Sequence, residues 1–161
     1  LEWLKQQFGE SAFEVIVGDV RDADRIAEAA KSADRIVHLA GQVAVTTSVI
    51  NPRDDFESNA LGTFNVMESA RLSGRDPIVV YASTNKVYGG MDDVELFEEP
   101  TRWRYKDLVH GCPETQPLDF HSPYGCSTSH FNLNNEPKFT RWKGAPVLEQ
   151  LALTSFTSLS A

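Results

Sequence analysis

Residues 35–41, Arg-Ile-Val-His-Leu-Ala-Gly, and 77–82, Pro-Ile-Val-Val-Tyr-Ala, are short apolar runs that flank a segment with helical periodicity. The first run is apolar enough to predict a strand buried on both faces, stopping at Gly41. Between the runs, Asn51-Pro52 puts a capping side chain ahead of a proline at the first helical position. Phe56, Ala60, Phe64 and Met67 follow at helical spacing and predict one buried stripe. Arg71 falls in the last turn and Gly74 just past the end, where a helix terminus favours them. Strand, long helix and strand at this pitch predict parallel pairing through a crossover.

Working outward, residues 13–19 (Phe-Glu-Val-Ile-Val-Gly-Asp) predict a further short strand ending at a Gly-Asp turn. Asp22 is placed to cap a helix over about 23–32, with Ile26, Ala29 and Ala30 on one side. Residues 89–122 read as a long loop, acidic at 92–99 and then rich in Pro, Gly, Trp and Tyr. Two roles stay open for it: a solvated excursion, or a cover for a substrate, with Trp103, Arg104 and Tyr105 supplying stacking and phosphate contacts. Residues 129–161 show no helical or strand period, and their charge balance also differs. Lys138, Arg141 and Lys143 stand there against Glu136 and Glu149, so the acidity belongs to the preceding residues.

The 161 residues suffice for one domain, and 41% hydrophobic content can build a core. A net charge of -8 argues against nucleic-acid partners, which favour a basic face. Mean hydropathy is -0.32, and no apolar run approaches the ~18 residues of a membrane span. No signal segment opens the chain, and its start at Leu1 without Met reads as a partial product. Cys112 and Cys126 form neither a C-x-x-C pair nor a disulfide framework, consistent with reduced thiols in a cytoplasmic protein. His38 lies in an apolar run and reads as a core residue. His110, His121 and His130 share no metal-ligand spacing, so no metal is expected.

Open parallel sheets bind ligands beyond the carboxyl ends of their strands. Here those ends carry Gly18-Asp19-Val20, Ala40-Gly41-Gln42 and Ser83-Thr84-Asn85. Singly, an Asp after a strand serves as readily for a cap or turn, and Ala-Gly for a tight turn. The order of motifs is more specific: G-D-V-R-D (18–22), H-L-A-G-Q (38–42), N-A-L-G-T (59–63), S-T-N-K-V-Y-G (83–89) and S-P-Y-G-C-S (122–127). Together they resemble the extended short-chain dehydrogenase/reductase family of nucleotide-sugar epimerases and dehydratases. S-T-N-K-V-Y-G and H-S-P-Y-G-C-S are most similar to CDP-tyvelose (CDP-paratose) 2-epimerases.

The resemblance implies an α/β fold, a doubly wound parallel Rossmann-type sheet. It also implies that the first strand-turn-helix-strand unit, with the Gly-rich fingerprint, is missing before Leu1. Residues 1–128 would then be an incomplete NAD-binding domain, and 129–161 a divergent tail. By the same resemblance Asp19 would bond the adenine amino group with Val20 packed beside the ring. Ala40, Gly41 and Gln42 would let the backbone approach NAD, and Asn59 would support the site. Thr84 would hydrogen-bond the sugar hydroxyl being oxidised, Asn85 and Lys86 would lie on the substrate, and Tyr124 would be the acid/base.

A free tyrosine, with pKa near 10, is about three units too weak a base at neutral pH, or roughly 4 kcal/mol. The family meets this with a lysine one turn after the tyrosine; that position here is Thr128. A reading-frame shift near codon 128 or a natural pseudoenzyme would each explain the change. The expected activity is NAD-dependent epimerisation of a nucleotide sugar, by resemblance a CDP-hexose at C2, through a transient keto sugar, with this chain itself inactive. A 4,6-dehydratase is the alternative within the family, but there Asp-Glu follows the Thr, and here Asn85-Lys86 does. From another class, a non-catalytic degenerate Rossmann module remains. The resemblance also implies a homodimer through the long helix and the tyrosine helix.

Overall fold

The computed structural model describes residues 2–108, 110–113, 115–129, 140–142 and 145–149. Helix α1 (Glu2–Phe8) and a 3-10 turn (Glu10–Ala12) precede residues 13–19, which carry no strand pairing. The strand expected there is therefore absent. Its alternation meets nothing to pack on, and Val15, Ile16 and Val17 all lie exposed. Helix α2 (Ala23–Ala30) starts where expected, because the Asp22 side chain accepts from Arg25 N at 3.1 Å.

Strand β1 (Arg35–His38) leads to α3 (Val45–Ile50) and α4 (Pro52–Phe56). Asn51 caps α4, accepting from Asp54 N at 3.3 Å, with Pro52 at its first position. One π-helical turn (Glu57–Leu61) joins α4 to α5 (Gly62–Leu72), and Gly74 follows at φ 70°. The expected stripe is corrected by that turn. A π turn inserts residues out of phase with the 3.6 period. Ala60 and Met67 are buried, but Phe56 and Phe64 are not; Thr63, Val66 and Ala70 face the core instead.

Strand β2 (Ile78–Tyr81) pairs parallel with β1, register Arg35↔Ile78 to His38↔Tyr81. Val66, Met67, Ala70 and Val79 form the central cluster, flanked by Val20, Ile26 and Ile36. Burying a Val or Met fully is worth about 1.5–3 kcal/mol. The tight seam between α5 and the 18–22 turn requires Gly62, since a Cβ there would lie 2.6 Å from Val20 Cγ1. Asn65 Nδ2 closes that seam, donating to Val20 O (3.1 Å) and Arg21 O (3.2 Å).

Three further expectations need correction. β1 buries His38 but leaves Val37 exposed, so only one face is covered. The supposed loop 89–122 contains an antiparallel hairpin, β3 (Leu96–Glu99) and β4 (Arg102–Tyr105), joined at Pro100-Thr101. Helix α6 (Pro123–Ser129) follows. Beyond it, β5 (Thr140–Trp142) and β6 (Ala145–Glu149) depart from the absence of strand expected for 129–161; the rest of that tail lies outside the described residues. β6 needs no alternation because a strand inserted in a sheet is selected by pairing, not by a two-faced pattern. It pairs parallel with β2 and antiparallel with β5, giving the order β1-β2-β6-β5. The sheet is thus part of a doubly wound α/β architecture. No helix among the described residues is long and apolar enough to cross a membrane.

Candidate active site

Two of the three segments, Ala40-Gly41-Gln42 and Ser83-Thr84-Asn85, follow the carboxyl ends of β1 and β2, the ligand-binding end of such a sheet. After residues 13–18 comes Asp19, whose carboxylate is gripped by Arg21. Arg21 N and Nε each donate to Oδ1 at 2.9 Å and Nη2 to Oδ2 at 2.6 Å, while Nη1 reaches Asp54 Oδ1 at 2.8 Å. This guanidinium holds the Asp19 carboxyl down to about 2, and Asp19 in turn raises the Arg21 value. Beside them a cleft of about 530 Å³, mostly apolar, opens between the 16–20 segment, α2 and β1, with Gly18, Asp19, Val20, Val37 and Ala40 in its wall.

At the end of β1, Gly41 is fixed by packing inside the chain. The Gln42 N–H donates to Asn59 Oδ1 at 2.8 Å, and the Gln42 amide folds back onto Ala44, donating to its O (2.8 Å) and accepting from its N (2.7 Å). Asn59 sits in the π turn, and its amide donates to Asp55 Oδ1 (3.1 Å) and Ser127 Oγ (3.0 Å). Ser127 Oγ donates to Asp55 Oδ2 at 2.6 Å. One buried amide therefore ties the 40–42 loop, the long helix and α6 together. Burial pushes the Asp55 carboxyl up, and the Ser127 hydrogen bond opposes part of that rise.

Behind β1 and β2 lies a second buried polar chain. Thr63 Oγ1 donates to Asn59 O and pairs with His38 Nε2, 2.9 Å away. Desolvation lowers His38 to about 4 and its ring stacks on Tyr81, 5.4 Å between centroids. His38 is thus a satisfied core residue. Tyr81, pushed up to about 12 by burial, donates to Thr128 O at 2.8 Å.

At the end of β2, Thr84 Oγ1 accepts from Lys86 N at 3.3 Å and caps a 3-10 turn, Asn85–Tyr88. The first turn of α6 packs on that turn so closely that a Cβ on Gly125 would lie 2.8 Å from Lys86 O. Tyr124 precedes Gly125, and its N–H donates to Ser48 Oγ at 3.2 Å, anchoring α6 to α3. This packing places Tyr124 and Thr84 on either side of one backbone contact. Thr128, at the family's lysine position, is buried, and its hydroxyl bonds Tyr124 O at 2.6 Å. Asn85 and Lys86 are exposed and line a second cleft, of about 690 Å³, whose far wall is the β3–β4 hairpin.

The packing of α6 thus brings the backbone after Tyr124 against the turn that Thr84 caps; Asn85 and Lys86 line the hairpin cleft, and Asp19, Val20 and Ala40 line the other. Asp55 and Ser127 were not anticipated. The signal available was an acid at i−4 from Asn59 on a strongly helical segment, with a serine after the tyrosine motif.

The model of the GDP-mannose 4,6 dehydratase family matches residues 1–131. The chain belongs to this family. A CDP-paratose 2-epimerase of Salmonella typhi is 42% identical over 129 residues, covering 79% of this chain and 37% of that protein. A solved dTDP-glucose 4,6-dehydratase of Streptomyces venezuelae, with NAD bound, superposes with a TM-score of 0.67 at 28% identity, covering 89% of this chain and 39% of that one. The UDP-glucose 4-epimerase of Thermus thermophilus, in complex with NAD, gives 0.55 at 31% identity, covering 71% and 33%. The chain spans about a third of the length of the relatives it matches.

Proposed function

We propose that this chain forms part of an NAD-dependent nucleotide-sugar epimerase in which Tyr124 and Thr84 act on one sugar hydroxyl. The observation that supports the proposal is the packing of α6 on the 3-10 turn at Gly125 and Lys86 O, which sets the helix carrying Tyr124 against the turn capped by Thr84. Thr84 Oγ1 accepts from Lys86 N, and its own hydroxyl proton can then donate to the sugar oxygen. Tyr124 takes the proton of that hydroxyl and returns it when the carbonyl is reduced again. The similarity to a CDP-paratose 2-epimerase supports a CDP-hexose with its centre at C2. Asn85-Lys86 supports epimerase over dehydratase, because elimination of water needs an acid and a base that these side chains do not provide.

The residues present suit the adenosine end of NAD: an apolar cleft with ionised Asp19 at its mouth and Val20 in its wall. When bound, NAD supplies an acceptor that takes hydride from the sugar and gives it back. Asp19 would bond the adenine amino group, and Ala40 and Gly41 would border the ribose and diphosphate. Asn59 keeps the loop carrying Gln42 in register with α6. A homodimer is supported by the exposure of Phe56 and Phe64 on the long helix, and a cytoplasmic setting fits the free cysteines.

Thr128 favours a second reading, a non-catalytic module. A buried neutral hydroxyl bonded to Tyr124 O supplies no positive field for a tyrosinate. The test uses a protein of the relatives' full length carrying this segment, assayed with CDP-paratose. Thr84→Val and Tyr124→Phe are each expected to cut turnover about 10²-fold or more, with NAD retained. Turnover unaffected by Tyr124→Phe would remove the assigned mechanism, and turnover absent in the parent protein would decide for the non-catalytic reading.

A further inference from the structure

Asp55 is only 1% exposed and borders neither the cleft beside Asp19 nor the hairpin cleft. Burying an acid is unfavourable unless its oxygens are hydrogen-bonded. Both are: Oδ1 accepts from Asn59 Nδ2 at 3.1 Å and Oδ2 from Ser127 Oγ at 2.6 Å. Asn59 Nδ2 also donates to Ser127 Oγ at 3.0 Å, so three buried side chains, from α4, the π turn and α6, close a ring. Asn59 Oδ1 lies outside it, turned to the 40–42 loop, where it accepts the Gln42 N–H at 2.8 Å. A side-chain amide has one acceptor edge and one donor edge. Gln42 requires the acceptor edge, so the donor edge has to end on acceptors, and Asp55 and Ser127 supply them. Turned over, the amide would set N–H against the Gln42 N–H and its oxygen against the Asp55 carboxyl. Ser127 extends the ring to the tyrosine, since its hydroxyl also lies 3.3 Å from Tyr124 O, one turn earlier on α6.

We infer that Asp55 is a positioning residue: through the Asn59 amide it sets the 40–42 loop, and through Ser127 it sets the helix that carries Tyr124. The inference rests on the nucleotide-sugar reading above and adds a buried residue that aligns its cofactor side with its acid/base side. Asp55→Leu is close in volume but offers no acceptor, so the Asn59 amide is free to turn and the Gln42 N–H loses its partner. Asp55→Asn behaves differently. Its oxygen accepts from Asn59, its own amide donates to Ser127 Oγ, and the Ser127 proton passes to Tyr124 O. The ring then stays closed, so asparagine rescues what leucine loses.

Amide proton shifts, followed by NMR in the folded 161-residue chain, read the ring without any ligand and independently of overall stability. In Asp55→Leu the Gln42 amide proton is expected to move upfield, as a lost hydrogen bond requires. The Ile78 and Ala82 amides, which donate to Asp34 O and His38 O across the sheet, should stay in place. In Asp55→Asn all three should stay. The second arm uses a protein of the relatives' full length carrying this segment. There Asp55→Leu should weaken NAD about tenfold, the scale of one misplaced hydrogen-bonding loop, and cut turnover by up to about 10²-fold, while Asp55→Asn keeps both within about threefold. A Gln42 signal unmoved by Asp55→Leu, or moved equally by Asp55→Asn, overturns the inference. So does a moved signal with NAD affinity left at the parent's value. Should Asp55→Leu fail to fold, Ser127→Ala leaves Asn59 one acceptor and should move the Gln42 signal the same way by less; an unmoved signal overturns the inference there too. A parent protein that binds NAD but turns over no sugar would remove the epimerase reading, and the Gln42 and NAD arms would still decide the role of Asp55.

Discussion

A β-carbon on Gly41 would stand 2.7 Å from Asn59 Oδ1, the atom that accepts the Gln42 N–H at 2.8 Å. The glycine is therefore required by the chain's own packing, whether or not a cofactor passes over it. Gly41→Ala must displace Asn59 or the loop, at a cost of about 1–3 kcal/mol. Asn59→Ala removes one amide from three partners and costs about 1–3 kcal/mol by leaving buried groups unpaired. The two costs act on the same contact, so the double variant should lose less than their sum by at least about 0.5 kcal/mol. Urea denaturation of the four proteins measures this, and strict additivity would show that the two residues do not compete.

His38 makes stability depend on pH in a defined window. Its ordinary value is 6.5 and burial lowers it to about 4. Between these values the unfolded chain binds the proton and the folded chain does not, so stability is complete above about 6.5 and falls as pH drops towards 4. The full effect is about 3 kcal/mol, of which about 2 kcal/mol is lost between pH 7 and 5. His38→Gln lowers the baseline by losing the bond to Thr63 but should remove that part of the slope. Chemical denaturation at pH 5, 6 and 7 compares the slopes; parallel lines for the two proteins would mean that His38 is protonated in the fold.

Asp19 is held ionised by Arg21 far below the usual carboxylate range. Its contribution to NAD binding should therefore stay flat from pH 8 down to about 4. Asp19→Ala should weaken NAD by about tenfold to a hundredfold, the scale of a hydrogen bond to a charged group. Isothermal titration of a full-length protein at both ends of the range tests this. An unchanged affinity would leave Asp19 as an anchor for Arg21 and Asp54 alone.

The helical stretch from Asn51 to Gly74 was legible because its signals are local: a cap, a proline, a terminal glycine and spaced apolar residues. The face it buries was not, because the π turn at Glu57–Leu61 shifts the phase without leaving a mark in composition. Phe56 and Phe64 consequently point away from the core that their spacing predicted. The motif positions Thr84 and Tyr124 were singled out by their order along the chain, and α6, which carries Tyr124, packs on the turn that Thr84 caps. The hairpin was hidden because Leu-Phe-Glu-Glu does not alternate and Arg-Trp-Arg-Tyr alternates over only four residues, amid acidic loop composition. Strand-like runs also failed where partners decide: residues 13–19 have the pattern without a neighbour, and 145–149 the neighbour without the pattern.

The Ser127 hydroxyl, with the Asn59 amide on the other oxygen, makes an ionised Asp55 tolerable inside the fold. Burial raises the Asp55 carboxyl above 3.8, and the Ser127 bond pulls it back. An acid whose folded value is raised contributes most to stability when protonated, and that contribution is lost as pH rises through the folded value. Ser127→Ala removes the opposing bond, so Asp55 should move higher and the loss at neutral pH should deepen. The variant is expected to be destabilised by about 1–3 kcal/mol at pH 7.5, the cost of stripping a partner from a buried charged acceptor. At pH 4, where Asp55 is more fully protonated, the deficit should shrink. Asp55→Asn supplies the control: it cannot ionise, so Ser127→Ala made in that background should carry the same cost at both pH values. Thermal and urea unfolding at pH 4 and 7.5 read the four proteins together. A deficit that is equal at the two pH values in the Asp55 background would show that Ser127 merely fills space between α4 and α6.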